Sequence, residues 1–327
     1  MGKSTRPSKA RLAQIYARQD PPGFGPHYRP AIRANREEAP ARSRPAWVWW
    51  DTVQRDLSTL SSVERSILLI CLHNERVWEV HDQRMLPVLP SPHPLSTHPK
   101  AAGMVLPAMR GTVEIAERLG VLALHPFVRI AAEDGSGRSS DVPFPWIGDF
   151  LLFLEDEMGP YAVNLTVKDR PDEFQQSSFD GVKPGKRAGA AHRKAQARHA
   201  VEEQLYADVG IRTVRVTRED YDASAVANLT QIFLWHHRKT PFDAEQRKAI
   251  VDNFRAAMSA GVPPIEVTYA LALRHRWKAH DLKAVFYQAL WRRELRADLF
   301  EPIVFDRALR PEKRDLIAMH DAWFRRT

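Results

Sequence analysis

A chain of 327 residues can bury one sizeable core and a second, smaller one. Its 48 Lys and Arg against 40 Asp and Glu leave a formal charge of +8, which favours a polyanionic partner such as nucleic acid over an acidic small molecule. The single cysteine, Cys71, excludes an internal disulfide and a thiolate metal cluster; no apolar run is long enough to span a bilayer, so a soluble intracellular protein without a membrane partner is expected.

Residues 1–45 are rich in Pro and Arg without sustained apolar periodicity, and read as a basic disordered arm, either solvated or touching DNA backbone or a partner. Globular patterning starts near Trp47. Ser61, Ser62, Val63 and Glu64 make a capping-box start for a helix whose apolar run, Ile67 to Leu72, encloses Cys71 and is too long for a strand. Residues 77–89 read as an extended segment ended by prolines. A helix is expected over 112–119, and strands over 127–131 and 147–154 flanking the turn residues Asp134 to Gly137.

A further strand is expected over 161–168. After a polar, basic, Gly-containing loop come a helix over 190–208 stopped by Gly210, a strand over 211–217 and a helix over 223–237. Strands alternating with helices argue for an α/β domain over residues 46–240. The remainder, 241–327, shows helical spacing at 242–260, 265–274 and 280–293, a break at 276–279 resembling the turn between two short helices, and an apolar stretch at 303–305 that fits a β-wing. A helix-turn-helix or winged-helix module, binding DNA or a protein partner, is one candidate for this helical C-terminal domain among several small folds.

Chemistry concentrates in the strand over 161–168. Side chains alternate along a strand, so Val163, Leu165 and Val167 share one face, as core, and Asn164, Thr166 and Lys168 share the other, as a polar site. The preceding strand carries Asp149 near its beginning, and a hairpin through 156–160 lays the two strands side by side, so that Asp149 and Lys168 can meet at one edge of the sheet. Phosphodiester hydrolysis needs a carboxylate to hold a divalent cation, and a cationic side chain to orient water and offset charge on the phosphoryl group. Asp149 and Lys168 can supply those roles. Glu64 is the candidate second carboxylate, because Mg²⁺ binds through one or two carboxylates together with waters and phosphate oxygens.

The same residues have plainer readings. Glu64, three positions after Ser61, is equally the glutamate of a capping box, Asp149 a strand-start residue and Lys168 an exposed strand-end lysine. His192 and His199, seven apart on one helix, and the run Trp235-His236-His237 lack neighbouring acids or cysteines; they read as surface or capping residues, and no zinc is assigned. Lys183, Lys186, Arg187, Arg193, Lys194 and Arg198 form a basic segment after the catalytic strand that can follow a DNA phosphate backbone or stand as a solvated loop.

The run from Ser61 to Leu86, with Glu64 opening a helix and Gln83 entering a strand, resembles the start of the TnsA endonuclease domain of heteromeric transposases. The stretch Val201-Glu202-Glu203-Gln204-Leu205-Tyr206, then Gly210-Ile211, Val216-Thr217-Arg218-Glu219 and Asn228-Leu229, resembles that family's closing helix, strand and helix. The likeness covers about residues 55 to 235, with the Asp and the Lys between these motifs in the family's order. It implies a restriction-endonuclease-like mixed sheet flanked by helices, of the PD-(D/E)XK superfamily. By position, Glu64 and Asp149 become metal ligands and Lys168 the catalytic lysine. Asp149 follows Gly148 where the family has Pro, and Gly also permits a tight start to a strand. Thr166 stands where Gln or an acid is expected, leaving the Val167 carbonyl and waters to complete the coordination of Mg²⁺, or of Mn²⁺ in its place. The implied substrate is double-stranded DNA at transposon ends and the implied partners are an integrase-like transposase and an ATPase regulator, in a prokaryotic cytoplasm at the nucleoid. A free-standing restriction or repair nuclease is the enzymatic alternative; a non-catalytic assembly subunit, for which Thr166 is the chief argument, is the other.

Overall fold

The computed structural model describes residues 7–131, 138–174 and 186–326. The described residues up to 65, from 76 to 220 and from 323 onward form one compact unit, and residues 66–75 with 221–322 form a second.

The first unit opens with α1 (Lys9–Gln19), capped where the Ser8 hydroxyl accepts the Arg11 amide. Leu12 and Ile15 point one way at helical spacing and join Ala31, Met85, Val128 and Phe144 in a small core. Arg18 holds Glu38 through two bonds of 2.7 and 2.9 Å, and Tyr28, Ala34 and Ala39 are buried. The expected disordered arm is therefore folded from residue 7 onward. Beyond α1, whose apolar stripe is only Leu12 and Ile15, its anchors are single apolar side chains in irregular backbone, which leave no periodic signal.

β1 (Ala46–Trp50) and β2 (Arg55–Thr59) pair antiparallel, Ala46 opposite Thr59 and Trp50 opposite Arg55. Val48 and Trp50 face inward, while Trp47 and Trp49 face outward. α2 (Ser62–Leu72) follows at once; it starts in the first unit and continues in the second. β3 (Val77–Met85), α3 (Thr112–Arg118), β4 (Phe127–Ala131), β5 (Ser139–Pro143), β6 (Ile147–Asp156), β7 (Gly159–Val167), α4 (Lys186–Ala207) and β8 (Arg212–Val216) complete the unit. The main sheet runs β3-β6-β7-β8, antiparallel except for β8, which lies parallel to β7. It is a mixed sheet in an α/β unit.

β4 pairs with β5 in a separate two-stranded sheet. β5 went unread because Ser139-Ser140-Asp141 carries no apolar alternation; the turn expected at 134–137 lies outside the described residues. β6 is buried on both faces from Phe150 to Leu154, as a central strand must be. Leu151, Phe153 and Ala162 meet Ile115 and Ala116 of α3 and Val201, Leu205 and Tyr206 of α4. Each such large apolar side chain contributes about 1.5–3 kcal/mol.

β6 and β7 join through a tight turn, Asp156 opposite Gly159. Gly159 supplies the positive φ of 97° that the turn requires. Residues 323–326 return to this hairpin: the Tyr161 hydroxyl donates to the Phe324 carbonyl at 2.7 Å, and Arg326 donates to Asp156 Oδ1 at 2.6 Å and to the Gly159 carbonyl at 2.8 Å.

The second unit holds α5 (Ala223–Phe233), α6 (Ala244–Ala260), α7 (Pro264–His275) and α8 (Ala279–Trp291) beside the rest of α2. Asp222 caps α5, a reciprocal Asp243–Gln246 box caps α6, and Gly261 in the left-handed region ends it. α8 is buried all round, with Leu282 and every residue from 284 to 291 shielded, which marks it as the central helix of the unit. The boundary between the units lies at residue 220, so α5 belongs to the second.

The β-wing expected at 303–305 is absent. The Ile303 amide donates to Asn228 Oδ1 and the Phe305 carbonyl accepts from Ile265 at the start of α7, so these groups serve helices and not a partner strand. Among the described residues of the unit the only β contact is an isolated bridge, Ala297 to Pro311. No described helix is long and apolar enough to cross a membrane.

Candidate active site

Glu64 sits in the first turn of α2. Its amide donates to Ser61 Oγ at 3.0 Å, and its Oε2 accepts from the Leu60 amide at 2.8 Å and from Gln83 Nε2 at 3.1 Å. The side chain therefore does cap the helix, reaching one residue further back than the usual reciprocal box. It is also buried, with 8% of its surface exposed. Gln83 lies on β3 at φ 48°, a costly conformation for a residue with a side chain. The register Asp82–Phe150 and Arg84–Gly148 places Gln83 across from Asp149 on β6.

Asp149 Oδ2 accepts the Val167 amide at 2.7 Å, tying the start of β6 to the end of β7. Lys168 follows immediately, partly exposed, its amide donating to the Val216 carbonyl of β8. Asn164 and Thr166, expected on an open polar face with Lys168, are buried at 1% and 2% exposure. α4 covers Asn164, whose Nδ2 donates to Glu202 Oε1 at 3.2 Å and to Thr213 Oγ1 at 3.3 Å.

Glu202 is fully shielded, and its Oε2 has no partner among the described residues. A Cβ built on Gly148 would stand 3.0 Å from Glu202 Oε1. Gly148 thus leaves room for a buried carboxylate.

Electrostatics ties these groups together. The Glu64 carboxyl is pushed up to about 8, first by burial and then by the charge of Asp149; the Leu60 and Ser61 bonds and the Lys168 ammonium oppose the rise. Burial raises Glu202 as well, with Asp149 adding to the rise and Arg198, Asn164 and Lys168 relieving it. Asp149 therefore bears on both glutamates, and Lys168 offsets both. The structure brings Glu64, Asp149 and Lys168 into one neighbourhood from three elements far apart in sequence.

Among the described residues no group of three His, Cys, Asp or Glu side chains converges closely enough to hold one metal ion. A divalent cation would rest on Glu64 and Asp149, with the Val167 carbonyl and water beside them. A buried carboxyl raised by the like charge of Asp149 is an arrangement that a cation relieves.

The basic segment is not a loop from residue 186 onward, where it forms the first turns of α4. Lys183 and the side chains of Lys186 and Arg187 lie outside the described residues. Arg193 and Lys194 are exposed. Arg198 turns inward and donates to the Ile147 carbonyl at 2.6 Å, so it braces β6 and is not free for a phosphate. His199, expected at the surface, is buried against the Phe174 ring and driven down to about 3 by burial, Arg198 and Lys168. His192 is half-buried, and His236 is buried, stacked on Phe233 with Nδ1 at the Phe233 carbonyl.

Sequence reasoning assigned no role to Gln83 or Glu202. The turn of backbone that aims Gln83 leaves no mark in the sequence. Glu202 did leave one: His199, Glu202 and Tyr206 fall on one stripe of α4 that Val201 and Leu205 show to be the buried side, and a carboxylate there needs a reason. Compared with known proteins, the chain matches no family model and no curated protein.

Proposed function

We propose that this chain is a divalent-metal-dependent DNA endonuclease with a restriction-endonuclease-like core, acting as the TnsA-like cutting subunit of a heteromeric transposase alongside an integrase-like transposase and an ATPase regulator. The observation that carries the nuclease reading is the meeting of Glu64, Asp149 and Lys168 around a carboxyl held at about 8. A helix cap alone has no need of a second carboxylate and a lysine beside it. The transposition role rests on the sequence resemblance, supported by the α/β unit and the positions of its acidic and basic groups.

Mg²⁺, when bound, supplies Lewis-acid charge to the phosphodiester. Lys168 has the charge to offset the developing phosphoryl negative charge and to orient water through its ammonium. Asp149 fixes the end of β7 through the Val167 amide, and so fixes where Lys168 begins. Glu64 must be ionised to hold a cation, so affinity rises with pH toward its value of about 8 and binding releases a proton.

The test is cleavage of labelled transposon-end DNA, with and without the partner transposase, in Mg²⁺ or Ca²⁺ at constant ionic strength, with bound and cut DNA read in the same samples. Cutting is expected in Mg²⁺ and not in Ca²⁺, and is expected to vanish in Lys168→Ala and Asp149→Asn while binding stays. Either variant cutting at the parent rate removes that residue from the chemistry.

A further inference from the structure

On the β1–β2 hairpin, outside the carboxylate site, lies a feature that the nuclease chemistry does not use. Trp47 and Trp49 are 60% and 37% exposed, on the same outward face of β1. Neither ring stacks on another ring among the described residues. They line a groove of about 420 Å³, open to solvent, with Pro26, Arg29, Arg33 and Asp56. Two exposed indoles side by side need an occupant, since scattered single apolar residues are ordinary but adjoining ones mark a contact.

Spacing and charge decide what kind. Residues i and i+2 of a strand stand about 6.7 Å apart. That is twice the roughly 3.4 Å rise between stacked bases, so the gap between the two indoles takes one flat ring. Arg29 and Arg33 are exposed at the rim, and no ion pair engages the Arg29 side chain among the described residues. Arg55, on the groove floor, is already committed to Asp82 at 2.6 Å and lies 4.6 Å from the Tyr28 ring centroid. The lining acid, Asp56, opposes a phosphate but can accept a bond from a base amino group. Flat rings flanked by two exposed cations fit a polyanion of aromatic bases better than a proline-rich peptide, which has no charge for the arginines.

We infer that the Trp47–Trp49 groove clamps one unpaired base of a DNA strand, with Arg29 and Arg33 on the adjoining phosphates. The assignment deepens the nuclease reading, and rests on it only for which strand is held. Trp47 lies opposite Ser58, two residues before Leu60, whose amide is 2.8 Å from Glu64 Oε2. That route bounds the separation of Trp47 from the carboxylate at about 17 Å, some five base-pair steps of duplex. A strand cut at Glu64 thus has an unpaired or extruded base within reach of the clamp.

The test measures anisotropy of a short labelled oligothymidylate, and of an abasic strand of equal length, without divalent metal. The parent is expected to prefer oligothymidylate. Trp47→Ala with Trp49→Ala is expected to weaken that binding about tenfold to a hundredfold and to leave the abasic strand unchanged. The double Phe variant, which keeps two rings, should recover most of the loss. Arg29→Ala and Arg33→Ala should instead flatten the salt dependence on both strands. Equal affinity of the parent for the two strands, or an unaltered double Ala variant, overturns the clamp, as does tighter binding of an oligoproline peptide than of oligothymidylate. Trp-dependent binding in a protein that never cuts would sink the nuclease reading and leave the clamp standing.

Discussion

Replacing Glu64 with Gln separates its two roles, because the amide oxygen can still accept the Leu60 bond that caps α2 while the charge is gone. In the folded protein the carboxyl titrates at about 8 against an ordinary value of 4.5. Between those values the folded state keeps a proton that the unfolded chain has lost, so stability falls as pH rises through the window. Integrated over it, the metal-free parent is penalised by at most about 3 kcal/mol at pH 7 and by less than about 1 kcal/mol at pH 5. Glu64→Gln escapes the penalty. Its melting midpoint should exceed the parent's by up to roughly 10 °C near pH 7 and by little at pH 5. Saturating Mg²⁺ should close the gap by stabilising only the parent. Parallel melts at pH 5, 7 and 8, with and without Mg²⁺, read all of this. A gap that stays constant with pH would refute the charge-stressed carboxyl and reduce Glu64 to a helix cap.

Two further substitutions probe the scaffold. Gly148→Ala drives a methyl to 3.0 Å from Glu202 Oε1; it should cost about 1–3 kcal/mol in urea unfolding, and relief by Glu202→Ala in the double variant would locate the clash. Asn228→Ala removes bonds to the Leu299 and Glu301 carbonyls and from the Ile303 amide. It should cost the second unit about 3 kcal/mol, seen as faster amide exchange across α5 and α8 with the first unit unaffected; uniform protection would contradict the pinning role.

What the sequence made legible followed the strength of its repeating patterns. The apolar run before Leu72, the alternation from Tyr161 to Val167 and the stop at Gly210 each placed an element to within a few residues. Segments that earn their place through single contacts stayed hidden, namely the Pro-rich stretch after residue 19, the polar strand β5 and the non-repetitive chain from 292 to 322. The site divides the same way. Glu64, Asp149 and Lys168 were singled out through the resemblance and its order of acids and lysine, since residue type and spacing alone left their plainer readings open. The burial of Thr166, the inward turn of Arg198 and the approach of Gln83 depend on how α4 and β3 meet the sheet, which one-dimensional spacing does not encode.

The clasp of Phe324 and Arg326 on the β6–β7 hairpin bears on the timing of synthesis. The last strand of the first unit ends at Val216, yet its closing contacts come from residues more than a hundred positions later. At roughly 5–20 residues per second, a ribosome needs about 5–20 s to deliver them. During that interval Tyr161 and Asp156 wait without their partners, so the nascent unit passes through a form with an unlatched hairpin. Whatever loosens that latch acts on the sheet that carries Asp149 and Lys168.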